Sequence, residues 1–125
     1  MWLMTNKSFV SIVEHRDNTN LLCVRGRFKG DVDRFLGDRC EVETPDADYR
    51  FRAVATRGDV TDRLAISISE VDYPNFKNSV REKWRHDAYL EVWGVMWREQ
   101  KARVRAAVAA VAKKVARRKT TKAGV

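Results

Sequence analysis

The stretch SFVSIVEHRDNTNLLCVRGRF, from Ser8 to Phe28, determines the predicted fold. Its two ends, residues 8–13 and 21–28, are rich in β-branched and aromatic residues, which favour strands. Between these ends, residues 17–20 read DNTN, a composition typical of a turn. The stretch therefore predicts two antiparallel strands joined as a hairpin.

Shorter elements are predicted after the hairpin. Residues 31–36 (DVDRFL) indicate a helix of about two turns, with Asp31 as its N-cap and Gly37 at its end. Residues 49–55 (YRFRAVA) begin with the alternation of a half-buried strand, which would bury Phe51. Apolar residues at 60, 64, 68 and 71 have helical spacing, but ISIS at 66–69 alternates, so a strand stays open as the alternative there.

From Phe76 the sequence predicts helix to near its end, because no proline follows Pro74. The order of elements predicts an α+β fold, with a small antiparallel sheet covered by helices and a long basic C-terminal helix. We expect residues 1–97 to form a compact α+β domain and residues 98–125 to form a basic helical extension rich in Ala and Val.

Charge is distributed unevenly along the chain. The 125 residues contain 25 Lys and Arg and 17 Asp and Glu, which gives a net charge of +8. Residues 1–97 hold 15 basic and 16 acidic residues, for a net charge of −1, whereas residues 98–125 hold ten basic residues and one acid, for +9. The high isoelectric point therefore describes the C-terminal segment and gives no reason to treat the remainder as a binder of polyanions.

Composition excludes several classes of protein. A hydrophobic content of 44% is too high for a wholly disordered chain, and no apolar run approaches the 18 residues that a membrane span requires. The first residues lack the apolar region of a secretory signal, and two cysteines are too few for a disulfide framework. We therefore expect a cytoplasmic protein without a membrane span.

The C-terminal cations are the candidate nucleic-acid-binding residues. A helix that carries many cations can follow a phosphate backbone, with an affinity that falls as salt rises. The hypothesis is a noncatalytic protein that contacts DNA or RNA through this helix. The residues assigned to this contact are Arg98, Lys101, Arg103, Arg105, Lys113, Lys114, Arg117, Arg118 and Lys119.

Four valines in the same segment support a different interpretation. Val104, Val108, Val111 and Val115 recur at spacings of four, three and four residues, which places them on one side of a helix. Such a row is typical of a helix that binds a host protein or a second copy of the chain. A solubilising tail whose cations complement the helix dipole is a third interpretation.

Arginines and tryptophans elsewhere are weaker candidates. Arg25, Arg27, Arg50 and Arg52 would share one sheet face, either as a basic platform for phosphates or, as we expect, as a solvated surface neutralised by acids. Large aromatic residues of a small protein are usually buried, so the sequence predicts core positions for the tryptophans of the long helix. An aromatic binding surface is the alternative, because Trp is enriched at interaction hot spots. These tryptophans are Trp84, Trp93 and Trp97.

The sequence gives little support for catalysis or for a cofactor. It contains no Cys-x-x-Cys, no His-x-x-x-His and no glycine-rich phosphate loop, so neither a metal nor an organic cofactor is expected. Cys23 lies in an apolar strand, which predicts an inert, buried thiol. The acid pairs at 31 and 33 and at 46 and 48 leave a metal-dependent nuclease as an alternative, although such spacing is ordinary in loops and helix caps.

A pattern in residues 1–97 resembles a group of short actinobacterial and actinophage proteins. The similarity lies in the Met1-Trp2-Leu3 start, the strand at 9–13, the segment DYPNFK at 72–77 and the tryptophan-containing helix from Tyr89 to Trp97. The resemblance implies no catalytic residue. It implies an origin in a phage or mobile element, where small proteins often bind and modulate a host protein.

Overall fold

The computed structural model describes residues 1–124, and five strands form one antiparallel sheet within them. The strands are β1 (Trp2–Met4), β2 (Phe9–Glu14), β3 (Leu21–Gly26), β4 (Val42–Glu43) and β5 (Phe51–Thr56). Their order in the sheet is β1-β2-β3-β5-β4, and every neighbouring pair is antiparallel. The predicted hairpin is thus the centre of the sheet.

Four helices accompany the sheet: α1 (Asp31–Leu36), α2 (Arg57–Ser69), α3 (Phe76–Ser79) and α4 (Lys83–Ala123). Residues 66–69 belong to α2, so the helical alternative holds there. The helix predicted from Phe76 onward is interrupted, because α3 ends at Ser79 and Val80 has extended backbone before α4 begins. The α+β prediction, including the long basic C-terminal helix, is confirmed.

The core lies between one face of the sheet and the two helices α1 and α2. Alternate residues of β2, β3 and β5 point to this side, as strand geometry requires, and Val32, Phe35 and Val60 approach them from the helices. Phe51 is buried here, as its place in the alternation predicts. The strand residues of this core are Val10, Ile12, Val24, Phe51 and Ala53.

The N-terminus of α1 differs from the prediction, because Asp31 is not the N-cap. Gly30 occupies that position with a positive φ of 87°, and the Glu41 carboxylate accepts hydrogen bonds from the N–H groups of Gly30 and Val32 at 2.9 and 3.2 Å. Asp31 is the first helical residue, and its carboxylate bonds to Phe9 and Arg34 instead. An acid from a distant loop therefore satisfies the N–H groups that Asp31 was expected to satisfy.

The chain divides into two compact units, Met1–Val80 and Arg81–Val125. The first unit contains the sheet with α1, α2 and α3, and α4 is the only regular element in the described part of the second. The sequence prediction divided the chain after residue 97, where the excess of basic over acidic residues begins. That point lies inside α4, because a change in charge composition does not interrupt a helix that lacks proline.

Candidate nucleic-acid interface

The cationic segment is helical because its sequence offers nothing that ends a helix. Between Gly94 and Gly124 there is neither glycine nor proline, and alanine, the strongest helix former, fills many positions. Thr120 and Thr121 donate their hydroxyl hydrogen bonds to the carbonyl of Arg117 in the final turns. The helix continues to Ala123, so all nine predicted nucleic-acid-binding residues lie on it.

Every one of these nine cations is exposed. Arg103 donates from Nε to Glu99 at 2.8 Å, and within residues 1–124 it is the only one of the nine that forms an ion pair. Lys101 places its ammonium 3.6 Å from the centre of the Trp97 ring, a cation–π contact that leaves its charge in place. The segment therefore carries a dense and largely uncompensated positive charge.

Helical geometry spreads these charges along and around a rod. At 1.5 Å per residue, Arg98 and Lys122 are separated by about 36 Å along the axis. Successive residues of an α-helix are rotated by about 100° around its axis. Five cations that form no ion pair within residues 1–124 therefore project from one half of the circumference of α4. These five are Lys113, Lys114, Arg117, Arg118 and Lys122.

The four predicted partner-binding valines are exposed as well. Val108, for example, retains 66% of its accessible surface, and the other three lie above and below it on the same side of α4. The residues are Val104, Val108, Val111 and Val115. The structure therefore leaves this apolar row available for contact.

The prediction that the α4 tryptophans are core residues is wrong. Trp84, Trp93 and Trp97 keep 45%, 48% and 44% of their accessible surface. The rings of Trp93 and Trp97 are stacked, with centroids 5.8 Å apart and an angle of 12° between their planes. The prediction used the usual burial of large aromatic residues in small proteins. It overlooked that a spacing of three and four residues places Trp93 and Trp97 on the same side of the helix as the exposed valines.

Two of the four arginines of the sheet, Arg27 and Arg50, are paired with acids. Arg27 donates a hydrogen bond to Asp48 at 3.0 Å, and Arg50 donates one to Glu43 at 2.7 Å. The guanidinium carbons of Arg25 and Arg27 lie 4.5 and 4.2 Å from the centre of the Tyr49 ring. The hydrogen bond to Asp48 raises the pKa of Arg27. Arg25 and Arg52 are paired in register across β3 and β5, whereas Arg27 and Arg50 lie just outside these strands.

The acid pairs serve structural roles. Asp33 accepts the N–H groups of Cys40 and Glu41 at 2.9 and 2.8 Å, and Asp31 is engaged at the start of α1. Asp46 lies in an exposed turn, separate in role from Asp48, which binds Arg27. Among residues 1–124 no three His, Cys, Asp or Glu side chains are placed to hold a metal ion.

Two further titratable groups have shifted pKa values. Burial, followed by the neighbouring carboxylates of Asp33, Asp38 and Glu41, raises the pKa of the Cys40 thiol. Hydrogen bonds from Lys83 and His86 lower the pKa of Asp87 in the first turns of α4.

The cysteine prediction needs one correction, because Cys23 is half-buried rather than buried. It lies on the sheet face opposite the core, next to Val24, whose side chain is fully buried. Strand alternation therefore explains why an apolar neighbourhood in sequence did not bury this thiol.

Comparison with known proteins adds no relative. No protein-family model matches the chain, and neither a curated protein nor a solved structure matches it. Within residues 1–124, no helix combines the length and the hydropathy needed to cross a lipid bilayer.

Proposed function

We propose that this chain is a noncatalytic cytoplasmic protein that binds duplex DNA through the basic half of α4. The observation that carries the proposal is the exposure of nine cations on one helix, of which only Arg103 is ion-paired within residues 1–124. Such a rod gains free energy by releasing the counterions condensed on a nucleic acid.

The dimensions of the helix favour duplex DNA over duplex RNA. A helix with its side chains is about 10–12 Å wide, and the major groove of B-DNA is about 12 Å wide. The major groove of A-form RNA is too deep and narrow for side chains to read.

Phosphate contacts account for most of this binding. Residues 101–119 contain no Asn or Gln, the residues that pair with adenine edges, and the residues between the cations are alanines and valines. Contacts to phosphate position a protein on DNA without selecting a sequence. We therefore expect weak sequence preference and a strong dependence on salt.

Fluorescence anisotropy with a 20-base-pair duplex tests the proposal across a salt series. With about five phosphates neutralised, the slope of log K against log salt is about −4.5, so a fourfold rise in salt weakens binding about 500-fold. Replacing five cations by Gln lowers the affinity at 0.1 M salt at least tenfold and makes the slope shallower. The replaced residues are Lys113, Lys114, Arg117, Arg118 and Lys119.

A matched control removes the same charge elsewhere. It replaces five exposed cations outside the basic half of α4, and we expect it to bind as the unmodified chain does. The control residues are Lys7, Arg16, Lys29, Arg39 and Arg81. Equal weakening by both variants, or no weakening by the first, contradicts the proposal, and tighter binding to duplex RNA contradicts the choice of DNA.

A further inference from the structure

One apolar stripe runs along α4 from its tryptophans through its valines. Its members are separated by three or four residues throughout, so they lie on one side of the helix. All of them are exposed, and Lys101 is the one charged member. The Leu90–Val115 stripe consists of Leu90, Trp93, Trp97, Lys101, Val104, Val108, Val111 and Val115.

The stripe has the length and spacing of a coiled-coil interface. It covers 26 positions, which is between three and four heptads and about 38 Å of helix. The ammonium of Lys101 lies over the Trp97 ring, so the alkyl stem of this lysine can stay within the stripe while its charge remains stabilised. We propose that a second copy of the chain covers the stripe, with the two α4 helices antiparallel.

Charge favours the antiparallel direction. Residues 100–124 contain nine cations and no acid, so a parallel pair would place nine positive charges beside nine others. Residues 82–99 contain four acids and three Lys or Arg. Antiparallel pairing lays each cationic segment beside this slightly negative one, which removes most of the repulsion.

The sizes of the side chains agree with the same direction. Antiparallel pairing centred between residues 102 and 103 places Leu90 opposite Val115 and Trp97 opposite Val108 of the second copy. A large ring then packs against a small branched side chain. Parallel pairing in register would instead place Trp97 against Trp97 and Lys101 against Lys101, which buries two like charges together.

The dimer leaves the proposed DNA contact available. At 100° per residue, most of the cations project from other sides of α4 than the stripe. These are Arg98, Arg103, Arg105, Lys113, Lys114 and Arg117. Self-association is therefore independent of the proposed function, and it is measured below without nucleic acid.

Sedimentation equilibrium of nuclease-treated protein in 0.5 M NaCl measures the association. We expect a dimer whose dissociation constant rises at least fiftyfold in Val108→Asp, because that variant buries an unpaired carboxylate in the interface. Ala109→Asp is the matched control, since it adds the same charge to the adjacent exposed residue on another side of the helix, and it should leave the dimer unchanged. Circular dichroism verifies that both variants retain their helix. A monomeric unmodified chain, or equal weakening by both variants, overturns the proposal.

Disulfide formation determines the direction. In a background with Cys23→Ser and Cys40→Ser, one chain carries Leu90→Cys and another carries Val115→Cys. Antiparallel pairing brings residue 90 of one copy next to residue 115 of the other and holds the two residues 115 about 38 Å apart. We expect mixed disulfides when the chains are combined and almost none in either chain alone. Efficient crosslinking of each chain to itself indicates a parallel pair and overturns the proposed arrangement.

Discussion

Asp31→Asn and Asp33→Asn make the same chemical change at two positions of α1 and should have different consequences. Asp31 is fully buried, and it uses both carboxylate oxygens: Oδ2 accepts the N–H of Phe9 at 2.8 Å, and Oδ1 contacts the guanidinium of Arg34. An asparagine has one acceptor oxygen and one amide nitrogen. Its nitrogen must therefore face one of these donors.

The structure sets the size of the effect. Loss of a hydrogen bond to a charged group costs about 1.5–3 kcal/mol, and the pair with the partly exposed Arg34 adds about 0–1 kcal/mol at most. We therefore expect Asp31→Asn to lower the free energy of unfolding of residues 1–80 by about 1.5–4 kcal/mol. Asp33 accepts both of its backbone N–H groups at Oδ1, so an asparagine oxygen can keep both bonds. Asp33→Asn should cost only the favourable dipole interaction, about 0.3–1 kcal/mol.

Amide hydrogen exchange of the central strands measures this difference without interference from α4. The N–H groups of Val24 and Ala53 lie in β3 and β5, which pair with each other in the middle of the sheet, so they exchange only when the sheet opens. Asp31→Asn should accelerate their exchange about 10- to 700-fold, and Asp33→Asn less than about sixfold, since 1.4 kcal/mol is a factor of ten. Equal acceleration by the two variants would refute the assignment of separate partners to the two oxygens of Asp31.

Two other predictions concern Gly37 and Cys40. Gly37→Ala should destabilise the sheet unit by about 1–3 kcal/mol in urea unfolding, because φ is +74° and the new Cβ would lie 2.6 Å from the guanidinium of Arg63. Gly58→Ala, whose new Cβ would meet only the Thr56 hydroxyl oxygen at an ordinary contact distance of 3.9 Å, should not destabilise it. For Cys40, iodoacetamide labelling should be slower at pH 8 than that of a model thiol, with its midpoint above the ordinary thiol pKa. The stability that this raised pKa contributes is present below the ordinary thiol pKa and is lost as pH rises through the pKa of Cys40 in the folded protein. A labelling profile identical to that of the model thiol contradicts the shift.

The sequence predicted those elements whose pattern is local. β2, β3 and β5 follow from β-branched residues and alternation, and α4 follows from alanine content and the absence of proline. β1 and β4 were not predicted, because they have three and two residues and exist only through pairing with longer strands. The Glu41 contact with the start of α1 was also missed, since it joins positions at opposite ends of that helix and the loop after it.

The candidate surfaces were predictable in part for the same reason. The cations and valines of α4 are placed by helical period alone, so their common exposure on one helix agrees with the pattern. Burial of the tryptophans depends instead on which other segments of the chain pack against them, and local sequence patterns do not specify such contacts. Because the tryptophans were predicted to be buried, the sequence analysis did not join Trp97 and Val104 into one exposed surface. Joined, they extend the row of valines to the length of a coiled-coil interface.

The two surfaces of α4 should respond to salt in opposite directions. Phosphate contacts weaken as salt rises, because releasing counterions into a more concentrated salt solution gains less free energy. The stripe is apolar, and salt screens the remaining repulsion between the two cationic helices, so association of two copies is maintained or strengthened. A single titration with salt can therefore separate the surfaces: DNA is released while the dimer persists. Loss of DNA binding and of the dimer over the same range of salt would mean that nucleic acid, rather than the stripe, holds the two copies together.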